Sequence, residues 1–176
     1  MIGRIVGLVL GVVVIGVVVV GFLAIVPTPA TCTPDATVPA TTDVQARWDA
    51  YAAAPPPATV TITEGEATAL VQAQVQRENL AIKDPVVHFC SDGTAQLSFT
   101  YPVGPLSIKG VATGTVKTTS PVGVSVTSIL VGGLPAAVTD PVVGAVKDIA
   151  DKGSSLGLAG PVGSVQVSQG QVTVSQ

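Results

Sequence analysis

The chain is poor in the residues from which charged surfaces and aromatic cores are made. Of 176 residues, 11% are charged and 3% are aromatic. Lys and Arg total 8 against 11 Asp and Glu, a net charge of −3, and no basic run or stripe occurs. Nucleic-acid binding, which rests on neutralising phosphates, therefore has no electrostatic footprint. An acidic chain also gains nothing from an anionic lipid surface. With one Trp, two Tyr and three Phe, a core must come from Val, Ile, Leu and Ala. Such a core is light, and modest stability is expected unless something reinforces it. Asn79 is the sole asparagine, and Leu80-Ala81 follow it, so there is no N-glycosylation sequon.

Catalytic signatures are missing too. There is no Gly-x-Ser-x-Gly elbow, phosphate-binding loop, dinucleotide fingerprint or Cys-x-x-Cys. The one histidine, His88, has no orienting partner visible in sequence, which general-base chemistry needs. It is expected to be an edge or surface residue. Neither cysteine has a second metal ligand nearby. The expectation is a non-enzyme with no catalytic residues, no metal and no cofactor.

What the chain has in excess is one apolar run, Ile5 to Val26, without a charged or strongly polar side chain. At about 1.5 Å per residue, a helix over it covers roughly 30 Å, the thickness of a bilayer core. Arg4 precedes the run, and no Lys or Arg follows until Arg47. The positive-inside rule puts the amino terminus in the cytoplasm and residues 27–176 outside, as a single-pass cell-membrane protein. A cleaved signal peptide is the rival reading, with Thr28-Pro29-Ala30 as a weak cleavage site. The run is longer than the usual signal core, which favours a retained anchor. Outside the cytoplasm, the pair Cys32 and Cys90 suggests a disulfide, with two separate thiols as the other reading. Closing that loop would contribute on the order of 4 kcal/mol.

Residues 27–58 form a Pro/Thr-rich linker containing a short helix, Asp43 to Ala54, which Pro55-Pro56-Pro57 ends. Its Trp48 and Tyr51 are either a platform for a ligand or membrane surface, or they pack the helix on the domain. Residues 59–176 form that domain. Thr59-Val60-Thr61-Ile62 is a strand-like lead-in. Thr63-Glu64-Gly65-Glu66 forms a capping box that opens a helix over 63–79, and both glutamates are explained by that first turn. From Lys83 the period changes to two. Four antiparallel strands follow, turned at Asp92-Gly93, Pro102 to Pro105 and Ser120-Pro121. The third is expected to bend at Gly110 or Gly114, where a side chain is absent. A second helix is expected over 136–152, with Asp140 as cap or with an earlier start at Pro135. Val165, Val167, Val172 and Val174 around Gln169-Gly170 read as a final hairpin.

Over about residues 59–176, this order of motifs resembles the bacterial single-pass YpmS-like proteins. Those are related in appearance to the LmeA-like family and more distantly to tubular lipid-binding (TULIP-like) domains. The features that carry it are Ile62-Thr63-Glu64-Gly65-Glu66 opening an apolar helix, the alternating strands to Val131, Gly132-Gly133-Leu134-Pro135, and the run from Val165 to Val174. The resemblance implies a curved antiparallel sheet wrapped around a helix, leaving an apolar groove, and it brings no catalytic residues.

The expected fold is thus α+β: a curved antiparallel sheet packed on one or two helices, preceded by one transmembrane helix. The expected role is non-catalytic binding of a lipid or other apolar ligand, with the membrane as the other partner. Leu70, Leu97, Phe99, Leu106, Ile108 and Val146 would line the groove. The competing reading makes the same six residues a filled core. The domain would then be an interaction or structural module of the envelope, using its Ser/Thr-rich outer sheet face.

Overall fold

The computed structural model describes residues 32, 43–103, 106–117, 124–132, 140, 143–144, 146–147 and 160–176. The expected anchor, residues 1–26, and residues 27–31 and 33–42 after it lie outside the described residues. Among those described, no helix is long and apolar enough to cross a membrane.

The fold is α+β. In chain order the elements are α1 (Val44–Ala53), β1 (Thr59–Thr63), α2 (Glu64–Arg77), β2 (Lys83–Phe89), β3 (Thr94–Val103), β4 (Leu106–Val116), β5 (Val124–Val131), β6 (Ser164–Ser168) and β7 (Gln171–Ser175). The single curved sheet expected from sequence is corrected to two antiparallel sheets. One is the meander β2-β3-β4-β5, and the other has the order β1-β7-β6. The reason is that β1 does not lead into the meander. It pairs instead with β7, setting Val60 opposite Val174 and Ile62 opposite Val172.

Local chemistry accounts for the helix starts. In α1, the Asp43 side chain accepts from the amide of Ala46. In α2, the Thr63 hydroxyl accepts from the Glu66 amide while the Glu66 carboxylate accepts from the Thr63 amide, so the capping box read from sequence is present. Of the second expected helix, positions 140, 143, 144, 146 and 147 are described, and all are helical. Asp140 lies within that helix rather than capping it.

The meander has one apolar face, covered by two clusters. The first joins Val87, Phe89 and Ala95 to Val60, Ile62, Val172 and Val174 of the second sheet and to Val44, Trp48 and Tyr51 of α1. The second joins Phe99, Ile108, Ala112 and Val131 to Val75 of α2, Ile82 and Val146. Trp48 has no exposed surface, and its ring centroid lies 5.2 Å from that of Tyr51. The Tyr51 hydroxyl donates to the carbonyl of Pro161 at 2.9 Å, and burial pushes its pKa above the usual value of 10.0. The two aromatics therefore pack α1 onto the domain.

Cys32 and Cys90 form a disulfide, with Cα atoms 5.6 Å apart and a sequence separation of 58. It fastens the chain ahead of α1 to the end of β2.

Candidate functional site

The most organised polar chemistry among the described residues is the seam between α2 and β2. β2 is an edge strand, as Pro85 within it requires. An edge strand leaves outward amides and carbonyls that need partners. Three side chains of α2 supply them. Glu64 Oε1 accepts from the amide of Phe89 at 2.7 Å, Thr68 Oγ1 accepts from the amide of Val87 at 2.9 Å, and Gln72 Nε2 donates to the carbonyl of Pro85 at 3.3 Å. The donors and acceptors are four apart on the helix and two apart on the strand. Four helical residues advance about 6 Å and two strand residues about 6.6 Å, so the two spacings nearly match. The helix thus stands in for the missing neighbouring strand.

The seam closes at Gly170, in the turn between β6 and β7, where φ is +81°. Its amide donates to the carbonyl of Phe89 and its carbonyl accepts from the amide of Glu64, both at 3.0 Å. One glycine therefore ties the second sheet to the end of β2 and the start of α2.

Glu64 and Glu66 are both buried. Glu66 completes the capping box and pairs through Oε1 with Arg47 at 2.7 Å; Arg47 also donates to the carbonyl of Thr61 at 3.2 Å. Glu64 has a second neighbour. Its Oε2 lies 3.9 Å from Nδ1 of His88, and His88 Nε2 lies 3.3 Å from the hydroxyl of Ser98. The expectation of a surface position for His88 is corrected: it lies in the edge strand, as read, but only 7% of it is exposed. Its side chain shares the second sheet face with Gln96, directly opposite on β3, and Gln96 is also buried. Gln96 Oε1 lies 3.4 Å from the sulfur of Cys32. Among the described residues, His88 Nδ1 and Gln96 Nε2 have no hydrogen-bond partner.

Ser98, His88 and Glu64 follow the order of a nucleophile, base and acid relay. Two features speak against that chemistry. The carbonyl of Val86, also 3.3 Å from the Ser98 hydroxyl, competes with His88 for its proton. β3 is also paired on both sides at Ser98, with Val86 and with Val111, so the amides around it are held in ladders and do not converge on an oxyanion. Among the described residues, no group of three His, Cys, Asp or Glu is arranged to hold a metal ion. A cavity of about 410 Å³ between α1 and β1 has one cation at its wall, Arg47, already engaged by Glu66 and Thr61.

Of the six residues expected to line a groove, Phe99, Ile108 and Val146 come together in the second apolar cluster at 3%, 1% and 2% exposure. Leu97 is half-buried and packs against both clusters, while Leu70 packs against the first only. Leu106 opens β4 opposite Val103, and its side chain lies outside what is described.

Sequence reading missed Glu64 and Gln96 as buried polar residues beside His88, and Ser98 as its half-buried neighbour. The available signal was Glu64, Thr68 and Gln72 at steps of four, a polar stripe beside the apolar one.

No family model matches this chain, and neither do the curated proteins or the solved structures with which it was compared.

Proposed function

We propose that this chain is a membrane-anchored, extracytoplasmic interaction module of the cell envelope, non-catalytic and with a filled core. The run from Ile5 to Val26 would be its anchor. The observation that carries the reading is the mutual packing of Phe99, Ile108 and Val146, each almost wholly buried in one cluster. The outward side of the meander offers a polar surface for a protein partner, with Ser125, Thr127 and Ser128 exposed on β5 around a 54% exposed Leu130. The lipid-carrying role implied by the YpmS-like and LmeA-like resemblance requires the same cluster to open.

Site-specific photo-crosslinkers in the full chain, in its native membrane, separate the two. A crosslinker at Leu130 is expected to give discrete protein adducts, and one at Ile108 only intramolecular products. Lipid adducts from Ile108, matched by reproducible lipid in mass spectra of the purified chain, would sink the filled-core reading and restore the groove.

A further inference from the structure

The disulfide decides where the domain is held. The chain that passes Cys32 goes on to α1, but its first covalent hold on the domain is made at Cys90, just past the end of β2. That point is built into the fold. Cys90 is 2% exposed, its amide donates to the carbonyl of Thr94, and its carbonyl accepts from the amide of Gly93. The carbonyl of Phe89 beside it holds Gly170 in the turn between β6 and β7. The Cys32 sulfur is seated as well, 3.4 Å from Gln96 Oε1 on β3.

We propose that the bridge between Cys32 and Cys90 is a tether stop, which keeps the Cys90 end of the domain close to the bilayer and turned toward it. This rests on the reading of Ile5 to Val26 as the membrane anchor. Cys32 is six residues past Val26. Whatever their conformation, six residues span at most about 20 Å. The bridge adds 5.6 Å between Cα atoms, so Cys90 stands within about 25 Å of the end of the anchor. A domain of this length is about 35 Å across. Cys90 therefore has no room to point directly away from the bilayer. Without the bridge, the first fixed point is Asp43, the cap of α1. It lies 17 residues past Val26, a reach of about 60 Å. That exceeds the width of the domain, and no orientation is then excluded.

The partner at this end is the lipid surface, met without insertion. Ser91, Asp92 and Gln169 are the exposed residues of the two turns beside Cys90, and none of them is apolar or basic. Such an end neither buries side chains in a bilayer nor gathers anionic lipid. The bridge also sets the path of tension. A pull on the anchor passes through Cys32 to Cys90 and the meander. The packing of Trp48 and Tyr51 that docks α1 stays outside the loaded path.

The full chain, prepared without reductant, is placed in vesicles of zwitterionic phospholipid that carry an energy-transfer acceptor on their headgroups. A fluorescent non-natural amino acid at Gln169 reports the distance to the bilayer. An insert of about twenty Gly and Ser residues between Thr28 and Pro29 is expected to lengthen that distance by about 15 Å. The same insert between Pro34 and Asp35, inside the bridged loop, is expected to leave it unchanged. Both inserts keep the cysteines in place, so the comparison does not depend on a variant that lacks the bridge. Equal lengthening by the two inserts, or none by the first, in chains that stay with the vesicles in alkaline carbonate would overturn the tether alone. Release of the chain by carbonate would overturn the anchor, and the tether with it.

Discussion

The ring of Phe99 lies across Gly110, its cross-strand partner on β4: a methyl group built on that glycine would stand 2.5 Å from the ring's outermost carbon. The ring occupies the space where any other residue would carry a side chain. Gly110→Ala is therefore expected to destabilise the domain by about 1–3 kcal/mol, the usual cost of overpacking. Denaturant unfolding of Gly110→Ala, Phe99→Leu and the double variant checks the cause. The double variant should cost clearly less than the sum of the singles, because the smaller side chain removes the clash.

Thr68→Val keeps the shape of the side chain and removes the acceptor of the Val87 amide. An amide left without a partner at a covered strand edge costs about 1–3 kcal/mol. Hydrogen exchange should show the Val87 amide losing protection ahead of the rest of β2. Unchanged protection there would mean that α2 does not cap the edge.

Replacing both Cys32 and Cys90 by Ala should lower stability by about 4 kcal/mol, the loop-closure value for a separation of 58 residues. A dithiol reductant should produce the same loss in the wild type and none in the variant, read as the shift in the denaturant midpoint.

Asp92, in the exposed turn between β2 and β3, accepts at Oδ1 from the hydroxyl of Thr94 at 2.6 Å and from its amide at 3.0 Å. These bonds, the hydroxyl's first, hold its carboxyl below the usual value of 3.8. A lowered folded value means that the contribution to stability is present above pH 3.8 and is lost as pH falls through the folded value. Thr94→Val removes the larger cause and leaves the amide. The carboxyl titration of Asp92, followed by carbon-13 spectra, should move up toward the usual value in that variant.

How much of this could be read from sequence depends on the distance between partners. The alternation from Ala95 to Tyr101 was legible because one face of the meander is buried, and Ala95 and Phe99 lie on it. The capping box at Thr63 and Glu66 was legible because both partners sit within one turn. Gly110 suggested a bend and is instead a seat for a ring, since a missing side chain announces space but not its occupant. The irregularity falls near the other glycine, with a register shift against β5 between Thr113 and Gly114. The pairing of β1 with β7 left no local trace, because five-residue strands of Thr and Val fit many partners. The buried contact of Glu64 with His88 was hidden for the same reason: each residue has a sufficient local explanation, a helix start and a strand edge.

The pairing of β1 with β7 also sets an order of events. Thr61 and Thr173, whose hydroxyls meet at 3.3 Å, are 112 residues apart in sequence. Chains are made from the amino terminus, so Val60 and Ile62 leave the ribosome long before Val172 and Val174 exist to cover them. Until then, the first apolar cluster lacks one wall, and Phe89 and Glu64 lack Gly170. The meander can form from neighbouring strands as they arrive, with short loops to close. The second sheet has to wait, so the nascent chain carries an open seam through most of its synthesis.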